Sequence, residues 1–145
     1  MLLEEHRTFL ESSQIPMRLG LVQGDAGLIV PLWFVYEEGC LWCASHASSY
    51  LVRFLRAQAS ASNGTACSFD VSTNDVPYRG VAGTGRVRLD REQGSRKLAQ
   101  LAERYLGDLE SDFARWLLSR AADEEALCVE PTSFRAWDFS RRMTS

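Results

Sequence analysis

Alternation of apolar with polar or small residues recurs along most of the chain, and this two-residue period predicts strands. It is clearest where Met17, Leu19 and Leu21 alternate with Arg18 and Gly20. Turn-forming residues separate most of the predicted strands. The pattern gives six or seven strands, covering residues 17–22, 28–36, 40–44, 66–71, 78–89, 126–130 and 133–139.

Helical spacing of apolar residues occurs in four other places. The predicted helices cover residues 2–12, 49–58, 95–106 and 110–122. Ser95 is a good N-cap for the third helix, and Gly107 is a suitable residue to end it. Residues 59–65 are polar and small, which predicts a loop.

This order of elements favours a mainly β fold with peripheral helices. A parallel sheet needs a helix after nearly every strand, and here most strands are joined by turns. A mostly antiparallel barrel with helices packed outside satisfies the pattern. The length of 145 residues fits one domain, residues 1–145.

The most informative stretch runs from Leu28 to Arg56, where a hairpin delivers the start of a helix. The residues around that start are Ser45, His46, Ser48 and Ser49, assigned to a loop of residues 45–49. The first turn of a helix exposes unpaired N–H groups and the positive end of the helix dipole, which favours phosphate binding. The alternative is that these serines only cap the helix.

Proline within the long strand at Pro31 supports an unusual environment there. Proline cannot donate a ladder hydrogen bond, so it is expected at an edge, at a bulge, or where a ligand lies on the backbone. Further along, Gly83 and Gly85 are expected on one face of their strand, where they leave room for backbone, a ligand or a partner chain.

Charge and composition exclude some functions. The net charge of −3 and the pI of about 5.4 argue against a nucleic-acid-binding surface. No apolar run approaches the roughly 20 residues that cross a bilayer, and the first residues are acidic where a signal peptide is basic. We therefore expect a soluble, cytoplasmic protein without membrane contact and with reduced cysteines.

No catalytic or metal-binding motif stands out. Cys40 and Cys43 form a C-x-x-C pair, but residues three apart on a strand point to opposite faces, so we expect two packed thiols and no metal. His46 is interpreted either as an exposed loop histidine or as a phosphate donor. Paired carboxylates and Ser/His/Asp arrangements are not evident, and no catalytic residue is assigned.

Several motifs in their order resemble one known family. They are Pro31-Leu32-Trp33-Phe34, Glu38-Gly39-Cys40-Leu41-Trp42, Pro77-Tyr78-Arg79-Gly80-Val81, Arg104-Tyr105-Leu106-Gly107 and Trp137-Asp138-Phe139-Ser140. Together with the serine-rich segment they resemble the pyridoxamine 5′-phosphate oxidase-like family, the FMN- or F420-binding split β-barrel proteins, over residues 5–143.

The resemblance implies a six-stranded, antiparallel Greek-key split barrel that forms a homodimer and binds FMN, or in some branches F420 or haem, at the dimer interface. Leu32, Trp33 and Phe34 would lie along the flavin ring. The ribityl and phosphate groups would contact Ser45, His46, Ser48 and Ser49. Arg79 and Trp137 occupy positions from which the family reaches the cofactor, the latter often across the interface.

One departure from the family pattern concerns phosphate binding. The family usually has Arg and Lys at the start of this helix, where the chain has Ser49 and Leu51, so that Arg53 is the nearest cation. Losing a charge-assisted contact costs on the order of 1.5 to 3 kcal/mol. Two hypotheses follow: a flavin-dependent oxidoreductase acting on a small molecule, or a non-enzymatic split barrel that binds haem, another planar ligand, or nothing.

Overall fold

One antiparallel sheet of seven strands forms the body of the molecule in the computed structural model, which describes residues 3–58 and 63–143. The strand order is β2-β1-β5-β6-β7-β4-β3. The strands are β1 Met17–Gln23, β2 Ala26–Leu32, β3 Val35–Glu37, β4 Cys40–His46, β5 Thr65–Ser72, β6 Arg79–Asp90 and β7 Glu124–Asp138. The predicted mainly β, antiparallel class is confirmed.

Five helices lie around the sheet in the described part of the chain. They are α1 Glu4–Ser12, α2 Tyr50–Ala57, α3 Gly94–Leu106, α4 Asp112–Ser119 and α5 Ser140–Met143, with 3₁₀ turns at Arg91–Gln93 and Ala121–Asp123. The predicted helices are confirmed in position, and most of the predicted loop at 59–65 lies outside the described residues. None of the described helices has the length and apolar character needed to cross a bilayer.

The sheet is split within one of its predicted strands. Residues 28–36 were expected to form one strand, but Trp33 and Phe34 interrupt it, and its two parts lie at opposite ends of the sheet order. β2 pairs with β1, whereas β3 pairs with β4. The six strands expected from the resemblance thus become seven, because one strand contributes to both edges. Pro31 lies on edge strand β2, as predicted.

The core fills the space inside the curved sheet. Alternate residues of β1 point inward and are fully or almost fully buried, namely Met17, Leu19 and Leu21. Helix α2 adds apolar residues to the same cluster, including Leu51, Phe54 and Leu55. Each such side chain contributes about 1.5 to 3 kcal/mol by leaving water.

The C-terminal strands are joined where the sequence predicted a break. Residues 126–130 and 133–139 belong to one strand, β7, and Pro131 lies within it. Among the strands of the described residues, β7 pairs only with β6 beyond Val129, so its other edge has no strand partner there. Proline is tolerated at such an edge, and an irregularity between Thr84 and Gly85 shifts the register beside it.

Close backbone approach explains three of the glycines. A Cβ atom at Gly83 would lie 2.0 Å from the Ser133 carbonyl oxygen, and one at Gly85 would lie 2.4 Å from that of Glu130. The close neighbour left open by the sequence is therefore the backbone of β7. At Gly94 a Cβ atom would lie 1.9 Å from the Glu124 carbonyl oxygen, which requires glycine where α3 begins. Ser95 is inside this helix and not its cap, which corrects the prediction.

Candidate functional site

Four polar residues meet where β4 ends and α2 begins, and we call Ser45, His46, Ser48 and Ser49 the hydroxyl cluster. The sequence placed all four in a loop, but Ser45 and His46 belong to β4 because they pair with Glu125 and Glu124 of β7. Ser49 is the N-cap of α2: its hydroxyl accepts a hydrogen bond from the Val52 N–H at 3.1 Å. The Ser45 hydroxyl donates to that of Ser49 at 2.9 Å.

The histidine of this cluster is held by its neighbour. The Ser48 N–H donates to Nδ1 of His46 at 3.1 Å, and the Ser48 hydroxyl lies 2.7 Å from the same atom. Because Nδ1 accepts from the backbone, this hydrogen-bond network assigns the ring proton to Nε2. The Nε2–H group is then available as a donor to an anion.

Backbone donors at the start of α2 are also available. Among the first three N–H groups of the helix, that of Val52 is capped by Ser49, whereas those of Tyr50 and Leu51 have no acceptor among the described residues. They lie at the positive end of the helix dipole, where an anion is stabilised. The hydroxyl cluster therefore offers neutral donors of three kinds: N–H, O–H and imidazole.

Cationic side chains are placed elsewhere. Arg53 is exposed and lines a cavity of about 410 Å³ between α2 and the β1–β2 turn, with Tyr50 and Gln23 also in its wall. Leu51, at the position where the resembled family has Lys, is 4% exposed and packs in the core. Arg56, one turn beyond Val52, pairs with Glu125 at 3.0 Å.

The nearest ionisable groups on β7 are acidic. Burial raises the pKa of Glu124, and His46 and Arg120 act in the opposite direction. Glu125 is almost fully buried, and its charge is met by Arg56. Neutral donors would thus bind an anion at the hydroxyl cluster, and the nearby carboxyl groups of Glu124 and Glu125 would oppose that binding.

The residues expected along a flavin ring have three different environments. Leu32 is partly buried and packs on the core. The Trp33 ring stacks on Tyr105, with the ring centroids 5.1 Å apart and the planes at 4°. Phe34 is fully buried beneath the Arg104 guanidinium, and its N–H donates to the Tyr105 hydroxyl at 3.2 Å. The Phe34 side chain therefore points into the core.

Arg79 and Trp137 lie at the other end of β7 from the hydroxyl cluster. Arg79 stacks over Phe9 at 4.6 Å, and the Trp137 ring covers Gly80, where a Cβ atom would lie 2.6 Å from it. The cluster pairs with Glu124 and Glu125, whereas Arg79 pairs with Asp138. The intervening strand can separate these ends by up to about 40 Å. The contacts of Arg79 and Trp137 given above include no residue of the hydroxyl cluster.

Larger cavities lie on the outer face of the sheet. Two adjoining grooves of about 600 and 620 Å³ share Gly20, Ile29, Ser68 and Thr84 in their walls. Arg18, Asp70 and Arg135 line one end. None of the predicted cofactor residues lines these grooves. Gly83 and Gly85, which the sequence marked as leaving room for a neighbour, each line one of them, but the other small residues come from separate strands and could not be grouped from sequence.

Sequence reasoning also missed the role of two residues of α3. Arg104 donates to the carbonyl oxygens of Leu10, Glu11 and Ser13, which anchors the end of α1. Tyr105 donates to the Ile15 carbonyl oxygen at 3.2 Å and accepts from the Phe34 N–H. Together they fix the Trp33–Phe34 interruption of the sheet. Both belong to the Arg104-Tyr105-Leu106-Gly107 motif that contributed to the family resemblance.

Comparison with solved structures identifies the architecture. An F420 reductase superposes with a TM-score of 0.70 and 24% identity, over 92% of this chain and 98% of that one. A conserved hypothetical protein from Mycobacterium tuberculosis gives a TM-score of 0.74 and 19% identity, over 95% and 86%. A candidate pyridoxamine 5′-phosphate oxidase from Listeria innocua gives 0.67 and 14%, over 92% and 95%.

This chain has the pyridoxamine 5′-phosphate oxidase-like split β-barrel fold. No family model and no curated protein matches the sequence. The Trp33–Phe34 interruption links β2 and β3, the two edges of the sheet. β4 lies beside β3, and α2 with the hydroxyl cluster follows directly after β4.

Proposed function

We propose that this split barrel is an oxidoreductase that uses a flavin-type cofactor, FMN in the first instance and F420 as the alternative. The likeness to an F420 reductase over nearly the full length of both chains supports this proposal most strongly. The substrate is a small molecule that accepts or donates a hydride or an electron.

The hydroxyl cluster fits the phosphoryl end of such a cofactor. The open N–H groups of Tyr50 and Leu51 and the hydroxyl of Ser49, which accepts from Ser45 and Val52 and keeps its own proton, are hydrogen-bond donors at a helix N-terminus. His46 adds its Nε2–H group. Phosphate binding by these neutral donors is weaker than with the Arg and Lys of the resembled family, since they add no Coulomb attraction between two full charges.

The residues of the chain would bind and orient, and the cofactor when bound supplies the hydride or electron transfer. The hydroxyl cluster holds the anionic end, while Leu32 and Trp33 present the apolar surface next to the split. Trp33 is suited to this task because stacking on Tyr105 fixes the orientation of its ring. Arg53, exposed one turn into α2, adds a screened positive charge.

A homodimer completes the proposal. Val22 and Ile29 are exposed by 74% and 72% on the outer sheet face, beside the two grooves. Exposed apolar residues around small ones favour burial against a second copy. The same pairing would allow Trp137 and Arg79 of one subunit to reach the cofactor of the other. Light scattering at micromolar concentration is expected to give a dimer, and a monomer would refute the shared site.

A second function is favoured by the electrostatics of the hydroxyl cluster. Three features would disfavour a flavin phosphate there: no cation at Ser49, a buried Leu51, and the carboxyl group of Glu124 nearby. In that case the protein is a non-enzymatic binder of haem or another planar ligand.

Titration of the purified chain with FMN, F420 and haem separates the two functions. We expect FMN or F420 to bind, and the bound cofactor to be reduced or reoxidised faster with the correct small molecule than in free solution. Tight haem binding without affinity for FMN or F420 would overturn the oxidoreductase proposal in favour of the second function.

A further inference from the structure

Three potential metal ligands converge at the far end of β4 from the hydroxyl cluster. They are the Sγ atoms of Cys40 and Cys128 and a carboxylate oxygen of Glu130, which all lie within 4.8 Å of one another. We propose that Cys40, Cys128 and Glu130 form a Zn²⁺ site with a water molecule as the fourth ligand. This site is independent of the flavin proposal, because it shares none of the residues assigned to the cofactor.

Strand register explains why these residues meet. Trp42 of β4 lies opposite Cys128 of β7, and Leu41 lies opposite Val129. Leu41 and Val129 are fully buried in the barrel core, so the residues beside them in each strand point to the outer face. Cys40 and Cys128 therefore share that face with Glu130, whereas Cys43 points into the core.

The site is accessible from solvent on one side. Cys128 is fully buried, Cys40 is partly exposed, and Glu130 is exposed. An ion can therefore enter past Cys40 and Glu130 and reach a sulfur atom that is shielded from water. The combination of a buried thiol with two reachable ligands is typical of a site that can load after folding.

The ligand set and its spacing suit zinc. Tetrahedral Zn²⁺ with bonds of about 2.3 Å to sulfur holds its two sulfur ligands roughly 3.8 Å apart. The observed spread, within 4.8 Å, needs only small side-chain rotations to reach that geometry. Thiolate ligands select zinc over magnesium or calcium, which prefer oxygen. Three protein ligands leave one position for water.

The charge balance of the surroundings also suits a bound dication. Two thiolates and one carboxylate around Zn²⁺ leave one net negative charge. Arg88 lies next to it: its guanidinium is 3.6 Å from the Glu130 carboxylate and 4.0 Å from that of Asp90. Asp90 can keep Arg88 in place when Glu130 turns to the metal, so the charge of the loaded site is compensated.

Cobalt provides a direct test, because Co²⁺ replaces Zn²⁺ and reports its ligands by absorbance. We expect the tag-free, fully reduced chain to bind one Co²⁺ with a thiolate-to-cobalt charge-transfer band in the near ultraviolet, which Zn²⁺ then abolishes. Cobalt bound to His6 or His46 would give no such band. The Cys40→Ser variant is expected to lose the band, and the matched Cys43→Ala variant is expected to keep it.

Thermal unfolding gives a second readout that does not depend on the spectrum. A ligand that binds only the folded state raises its stability, so Zn²⁺ is expected to raise the Tm of the natural chain. The rise should disappear in Cys40→Ser and shrink in Glu130→Gln, both at positions that tolerate substitution because they are partly or fully exposed. The absence of a thiolate band, or an equal band and Tm rise in Cys40→Ser, would overturn the zinc site.

Discussion

The two ends of β4 carry different kinds of polar group: neutral hydrogen-bond donors at one end and a buried ion pair at the other. At its C-terminal end the hydroxyl cluster is built from neutral donors, with two first-turn N–H groups still open. At its N-terminal end, Lys97 of α3 is 1% exposed and holds Glu37 of β3 at 2.7 Å, with its ammonium also 4.6 Å from the Trp42 ring. A buried charge needs partners of its own, so the Lys97 ammonium is satisfied within the chain, whereas the hydroxyl cluster can accept an anion.

The largest effect is expected from adding a charge at the neutral end. Leu51→Lys restores a cation that the resembled family has, but Leu51 is 4% exposed. Loss of apolar burial and the cost of an inward charge should lower the free energy of unfolding by on the order of 4 kcal/mol. Urea denaturation measures this change.

Leu51→Met is the matched control for this substitution. It nearly preserves volume and polarity, and should cost less than about 1.5 kcal/mol. A Leu51→Lys variant as stable as Leu51→Met would mean that this side of α2 is not packed as described.

Removing a charge at the paired end comes next in size. Glu37→Gln leaves the buried Lys97 ammonium without a counter-ion, which should cost about 2 to 3 kcal/mol. Lys97→Met should cost less, below about 1.5 kcal/mol, because Glu37 is 37% exposed and can be hydrated. Chemical denaturation of both variants checks this asymmetry, and the reverse order would contradict it.

The same pair predicts a dependence on pH. The hydrogen bond from Lys97 holds the pKa of Glu37 below its ordinary value, with Gln100 adding to the effect. The unfolded chain therefore binds more protons in the acid range, so this contribution is present above the unfolded pKa and is lost as pH falls through the folded one. The stability difference between the natural chain and Lys97→Met should shrink between about pH 5 and pH 3.

These variants concern features that the sequence revealed only in part. Alternation of Met17, Leu19 and Leu21 was sufficient to predict β1 and its inward face. The start of α2 at Ser49 and the end of α3 at Gly107 were recognisable from their capping residues. Local signals of this kind depend on neighbouring residues only, and sequence carries them directly.

Features that depend on register were not predictable. The C-x-x-C pair was correctly assigned to opposite faces, but the approach of Cys40 to Cys128 requires knowing that β4 pairs with β7. Likewise, nothing local shows that Trp33 and Phe34 interrupt a strand, since the Tyr105 hydroxyl that accepts from the Phe34 N–H belongs to α3. The sequence predicted a break at Pro131. Whether a strand edge is unpaired, and so tolerates proline, depends on the tertiary structure.

Adding a cation at the partly buried cap of α2 should have a moderate effect on binding. Ser49→Arg places a guanidinium at the hydroxyl cluster, and one charge-assisted contact should tighten FMN binding roughly ten- to a hundredfold. The gain should shrink with added salt, because exposed charges are screened. A variant that folds normally without any gain in FMN affinity would contradict the phosphate site.

The smallest effect concerns the cap itself. Ser49→Ala removes the acceptor of the Val52 N–H and should cost about 1 kcal/mol, whereas Ser49→Gly should cost only a few tenths. Urea denaturation of both variants measures the capping contribution. Ser49→Ala also serves as the control for the cap that is lost in Ser49→Arg. An unchanged free energy of unfolding in Ser49→Ala would show that Ser49 does not cap α2.

The central claim is that the neutral end of β4 holds the phosphoryl group of a flavin nucleotide. Calorimetric titration of the natural chain with FMN and with riboflavin, which lacks the phosphate, tests it most directly. We predict that FMN binds at least roughly tenfold more tightly, since the phosphate gains hydrogen bonds each worth about 1 kcal/mol or more. Equal affinities for the two ligands, or no binding of either, would contradict it.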